Sequence, residues 1–203
     1  MPLNAPNLLT LLRIVLIPVL VVAYYLPVPW AHVLVTGLFV LSGITDWLDG
    51  YLARRLDQHS AFGAFLDPIA DKLTVSTALI LLASDPRVLE AVIDSRLYAI
   101  VIAIIIGREI IISGLREWMA MLGQRARVAV SYIAKVKTAL QMLAVGVMLY
   151  REPMAGLPIL RIGELLLYVA AALTIWSMLI YIRSAWPRLV AGEAASGHDD
   201  GAP

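Results

Sequence analysis

Residues 97–115 read LYAIVIAIIIGREIIISGL, and this stretch decides the class of fold. Only Arg108 and Glu109 bring charge into a run that otherwise matches the roughly 20 apolar residues needed for a helix to cross a bilayer. The apolar residues are continuous. A closed β-barrel, the other structure that satisfies its backbone inside lipid, needs them to alternate. Helix is therefore predicted here, and in five further runs at 8–26, 30–55, 68–83, 128–150 and 164–182. Pro18 predicts a kink in the first of these. Short connections predict antiparallel neighbours in one six-helix transmembrane bundle.

Composition agrees. The chain has 203 residues, 61% of them hydrophobic, and a mean hydropathy of +0.83, well above that of a soluble domain. A net charge of +1 gives no reason to expect a nucleic-acid partner. The absence of cysteine excludes a disulfide framework, a thiolate metal site and a cysteine nucleophile. The opening residues lack a basic region and a small-residue cleavage site, so the first span is expected to be retained. There is no repeat and no second domain. The expected organisation is one catalytic domain over 1–186, followed by a small, polar, disordered tail over 187–203. Six spans put both termini on one side. Seven arginines (54, 55, 116, 125, 127, 183 and 188) fall on that side and four (87, 96, 151 and 161) on the other. The positive-inside rule then makes the termini cytoplasmic in a multi-pass protein of the cell's cytoplasmic membrane.

Between the second and third runs lies DWLDGYLARRLDQHSAFGAFLDPIAD, residues 46–71. Asp46 and Asp49 are three apart and Asp67 and Asp71 four apart, so each pair shares a helix face. Carboxylates at the ends of membrane helices are costly and repel one another. A hard divalent cation resolves the conflict. Magnesium, with manganese not distinguishable from it, takes oxygen ligands and leaves positions open for substrate phosphates. Four carboxylates suit two such ions, a clamp fitted to phosphoryl chemistry. Gly50, Ala53 and Gly63 allow backbones to approach each other or a ligand. Arg54 stands within reach of a phosphate. Pro68 suits a first helical turn, which puts Asp67 near a helix start or a kink. The bland alternative is four solvated loop aspartates.

The segment fits D-x2-D-G-x2-A-R-x8-G-x3-D-x3-D at Asp46, Asp49, Gly50, Ala53, Arg54, Gly63, Asp67 and Asp71. It resembles the signature of the CDP-alcohol phosphotransferase family. The resemblance implies a six-span enzyme that moves a phosphatidyl group, or a relative of it, from a CDP-linked lipid to an alcohol and releases CMP. It implies that the four aspartates hold two divalent cations and that Asp71 is also the general base. It places Gly50, Arg54 and the Ser60 hydroxyl at the cytidine diphosphate. Homodimerisation is likewise implied by resemblance, since no span carries a clear small-residue seam.

The acceptor is read from the remaining polar islands. GREIIISGLREW contains Arg108, Glu109 and Arg116, and AKVKTALQ contains Lys135 and Lys137. Arg108 and Arg116 are two turns apart on one face. Cations inside a membrane need anions. Their partner is Glu109 or an acidic ligand, and one glutamate leaves positive charge over. A phosphorylated acceptor would absorb it. The alternative is snorkelling to headgroups. These stretches, with NAPNLLTLLRIVLIP near the start, resemble the bacterial branch of the family whose donor is CDP-diacylglycerol and whose acceptor is glycerol 3-phosphate. By that resemblance, Asn7, Thr10 and Arg13 help shape the nucleotide end, and Arg108, Arg116, Lys135 and Lys137 hold the acceptor's phosphate. A helix cap and a snorkelling arginine are the plain reading of the first three. Two other readings remain: the same chemistry with another acceptor such as inositol phosphate, and a divalent-cation transporter that uses the aspartates as its path.

Overall fold

The computed structural model describes residues 5–56, 61–121, 132–154 and 156–196. Among them the protein is all helix, apart from an isolated bridge between Met154 and Leu157. The helices are α1 (Ala5–Tyr24), α2 (Ala31–Leu56), α3 (Ala61–Ser84), the short α4 (Pro86–Ala91), α5 (Ser95–Met121), α6 (Tyr132–Tyr150) and α7 (Ile159–Ser196). Each of the six long helices overlaps one of the six apolar runs; residues 128–131 of the fifth run lie outside the described part. Pro18 sits inside α1, which continues on both sides of it.

Four of the helices contain stretches long and apolar enough to cross a membrane: Asn7–Tyr24, Ala31–Leu52, Ser95–Leu115 and Ile159–Ile180. α3 has the length, at 24 residues, but carries Asp67, Asp71 and Lys72 in its first half. Among the described residues α6 contributes a shorter apolar stretch, Val136–Tyr150. Large apolar side chains point outward on most helices: Leu8, Val22, Trp47, Ile110 and Trp176 are all more than half exposed. Water does not tolerate such a surface and lipid does, so the chain is a helical membrane protein.

The long helices close into a ring: α1 packs on α2, α2 on α6, α6 on α7, α7 on α5, α5 on α3 and α3 on α1. Its interior is filled by Val35, Phe39, Leu79, Leu82, Ile105 and Leu149, all essentially inaccessible. Gly163 lets α7 sit close against α6. A Cβ there would stand 2.5 Å from Met148 Cγ and 3.2 Å from the Ala144 carbonyl.

Polar ties close one end of the bundle. Asp85 N-caps α4, accepting from the Arg87 N–H at 3.0 Å, from the Tyr24 hydroxyl at 2.9 Å and from the Arg151 guanidinium. Burial pushes the Asp85 carboxyl up, but the hydrogen bonds from Tyr24 and Arg87 outweigh it and hold it below the usual carboxylate range. Arg151, just past α6, has a left-handed backbone (φ 62°) and lies over the Tyr24 ring at 4.5 Å. Beside it Glu164, fully buried in α7, accepts the Ile93 N–H at 3.0 Å and the Tyr168 hydroxyl at 2.6 Å.

Two expectations about helix ends change. α3 begins at Ala61, so Asp67 and Pro68 lie well inside a helix and not at its start. Ala61, Ala64 and Leu66 favour helix before Pro68, and the proline removes one backbone hydrogen bond without ending the helix. α7 runs on through Ser196, past the expected end of the sixth run at 182; residues 197–203 lie outside the described part.

Candidate active site

The opposite end of the bundle gathers the charged residues. α2 presents Asp46 and Asp49 on one face, as their spacing requires, and α3 presents Asp67 and Asp71. The charge of Asp46 reaches both Asp49 and Asp71, and that of Asp67 reaches Asp49, so the two pairs form one acidic group. α1 completes it. The Arg13 guanidinium lies 2.7 Å from Asp46 and in contact with Asp49, and the Thr10 hydroxyl donates to Asp67. Arg13 is 1% exposed. The snorkelling reading of Arg13 is therefore wrong: α1 packs against both α2 and α3, which turns that face inward onto two carboxylates. Asn7 is buried as well.

Asp46 and Asp71 also line a cavity of about 990 Å³, whose other walls come from α5 and α6. Arg108, Glu109, Ser113, Lys137 and Thr138 contribute its remaining polar surface, with Lys72 beside Asp71. Arg108 pairs with Glu109 at 2.8 Å, the partner its position in the sequence suggests. Both Arg108 and Lys137 are buried, so neither snorkels. The lower wall is apolar, formed by Phe39, Ile44, Ile112, Met142 and Leu143. One chamber thus brings the carboxylates of α2 and α3 together with the cations of α5 and α6 in a partly apolar lining.

Several expected site residues cannot be compared in the same way. Ser60 lies outside the described residues. Of Ala53, Arg54, Arg116 and Lys135 only the helical backbone is described. Gly50 and Gly63 sit on α2 and α3 beside the aspartates, and Gly63 is buried. Three contributors were not singled out for the roles they take. Arg13 is a counter-charge to the aspartates, and Thr174 and Ser177 on α7 contact Arg108 and Lys137. An arginine in an otherwise apolar first span is a readable signal; two small hydroxyls in an apolar helix are not.

The donor set suits a hard divalent cation. Asp46, Asp49, Asp67 and Asp71 offer only oxygen, without the sulfur or imidazole that softer metals favour. The buried guanidinium of Arg13 shows that this group of carboxylates requires positive charge. Among the described residues no three acidic or imidazole side chains are already closed into a metal cage.

The helical bundle, with an acidic group and a cationic wall sharing one cavity, defines a class of membrane enzyme. The chain belongs to the CDP-alcohol phosphatidyltransferase family, whose profile matches residues 3–176. It is similar to proteins named CDP-diacylglycerol–glycerol-3-phosphate 3-phosphatidyltransferase in three bacteria. The Pseudomonas fluorescens protein is 47% identical over 187 residues, 92% of each chain. That of Sodalis glossinidius is 50% identical over 91% of this chain and 96% of its own. That of Yersinia enterocolitica is 48% identical over 94% and 99%.

Proposed function

We propose that this protein transfers the phosphatidyl group of CDP-diacylglycerol to glycerol 3-phosphate, giving phosphatidylglycerophosphate and CMP. The observation that carries the reading is the shared cavity, which Asp46 and Asp71 line together with Arg108 and Lys137. The names of relatives that match nearly the whole chain support the choice of acceptor.

In this reading Asp46, Asp49, Asp67 and Asp71 hold two divalent cations, magnesium or manganese. Bound there, the cations neutralise the diphosphate oxygens and make CMP a better leaving group. The chain's own residues do the rest. Asp71 accepts the proton of the acceptor hydroxyl as its oxygen bonds to the phosphatidyl phosphorus. The bond from that phosphorus to the CMP oxygen breaks. Arg108 and Lys137, joined by Arg116 and Lys135, grip the acceptor's own phosphate and orient its hydroxyl. Thr10 orients Asp67. Asn7, Gly50, Ala53, Arg54, Ser60 and Gly63 serve the nucleotide end. The domain over 1–186 crosses the inner membrane six times, with both termini and the active site at the cytoplasmic side. It works as a homodimer among membrane lipids.

The test is CMP release by the purified protein with CDP-diacylglycerol and magnesium. Glycerol 3-phosphate, inositol phosphate and serine are offered in separate reactions. Release with glycerol 3-phosphate alone is expected. Release with inositol phosphate alone would keep the chemistry and overturn the acceptor. Magnesium uptake into vesicles without CMP release would identify a transporter.

A further inference from the structure

The two buried cations of the cavity both rest on α7. Lys137 Nζ donates to Ser177 Oγ at 2.9 Å, and Arg108 donates to Thr174 Oγ1 at 3.4 Å. Thr174 and Ser177 are three apart and share a helix face. The two cations come from different helices, α6 and α5, and α7 packs on both. One face of α7 therefore sets the separation between Lys137 and Arg108.

The chemistry of the two anchors is specific. The Ser177 hydroxyl donates its own hydrogen to the Thr174 carbonyl at 2.9 Å, so what it presents to Lys137 is a lone pair. Thr174 is fully buried and cannot exchange its partner for water. Both anchors are neutral. Arg108 also pairs with the Glu109 carboxylate at 2.8 Å, so the α7 hydroxyls fix position and add no further negative charge.

We propose that Thr174 and Ser177 are positioning residues for the acceptor phosphate. They hold Arg108 and Lys137 at a fixed spacing to receive the phosphate. The proposal rests on the acceptor reading above. Ser177 lies just past the stretch matched by the family profile, and α7 contributes none of the site residues expected from the sequence.

The experiment uses the full-length enzyme with Thr174→Val, which keeps shape and removes the acceptor atom, and with Ser177→Ala. At saturating CDP-diacylglycerol, each substitution should raise KM for glycerol 3-phosphate about tenfold, the scale of one hydrogen bond to a charged group. Values of kcat and KM for CDP-diacylglycerol should stay within about twofold. Thr174→Ser and Ser177→Thr should restore the wild-type KM. Binding of inorganic phosphate, measured by titration calorimetry, should weaken by the same factor; this arm needs no turnover. An unchanged phosphate affinity in both variants overturns the proposal. So does a joint fall of kcat with a rise in both KM values, which would mark a packing role. If the wild-type protein releases no CMP with any acceptor, the function reading fails, and the phosphate titration still decides whether α7 positions the cations.

Discussion

Arg13 carries a full charge at 1% exposure, held by a half-exposed Asp46 and a buried Asp49. Removing one partner of a buried pair costs about 3–5 kcal/mol, less here because solvent screens Asp46. Arg13→Gln should therefore lower thermal stability by about 2–4 kcal/mol in a chelating buffer. Added magnesium should close most of that gap by supplying the missing positive charge. An equal loss with and without magnesium would show that the acidic group does not take the metal. Asp71, on the cavity wall, gives a complementary prediction. Asp71→Asn should fold normally by circular dichroism yet lose activity by about a hundredfold or more, the contribution of a general base. Turnover near wild type would remove Asp71 from that role. The four aspartates are legible because helical spacing fixes which of them share a face. Arg108 and Lys137 are legible because an intramembrane cation needs a reason. The inward turn of Arg13 is not, since it depends on how α1 packs, and local sequence does not encode that.

At the scale of the helices, apolar runs locate all six long elements but misplace ends wherever charge intrudes. α3 starts seven residues before Pro68, because proline is favoured at a first helical turn but not confined to it, and the backbone continues as helix through Asp67 and Asp71. The opposite happens at α7, where polar composition after 186 does not stop the helix. α4 is too short for periodicity to reveal, though Asp85 followed by Pro86 is a legible N-cap signal. Packing between elements makes its own prediction. Gly163→Ala sets a Cβ against Met148, itself fully buried, and against the fixed Ala144 carbonyl. It should destabilise the α6–α7 contact by about 1–3 kcal/mol, as overpacking does. Gly37→Ala, with nothing within 4 Å, should be neutral or stabilising. Thermal unfolding in one detergent compares the two; equal effects would mean the close approach carries no weight.

Across the whole molecule, chemistry and structural ties occupy opposite ends. The Asp85 carboxyl joins α1, α4 and the start of the α6–α7 connection through Tyr24, Arg87 and Arg151. Its pKa is lower folded than unfolded, where about 3.9 is usual. Its contribution is therefore complete above that value and disappears as pH falls through the folded pKa. The stability gap between wild type and Asp85→Asn should be constant from neutral pH to about 5 and shrink below about 4. A gap that grows on acidification would contradict the depressed pKa. The largest part of the effect should come through the Tyr24 hydroxyl and the next through the Arg87 backbone N–H, while the Arg87 side chain, 76% exposed, is screened by solvent.

The contact of Arg13 with Asp46 and Asp49 bears on biogenesis as well as on chemistry. Each such residue, offered alone to the hydrocarbon by the insertion machinery, costs about 2.5–3.5 kcal/mol at a helix centre. α1 is synthesised just before α2, and the two pack directly on each other. A nascent hairpin of these helices brings its own counter-charge to the translocon, so α2 can partition into lipid without first capturing a dissolved ion.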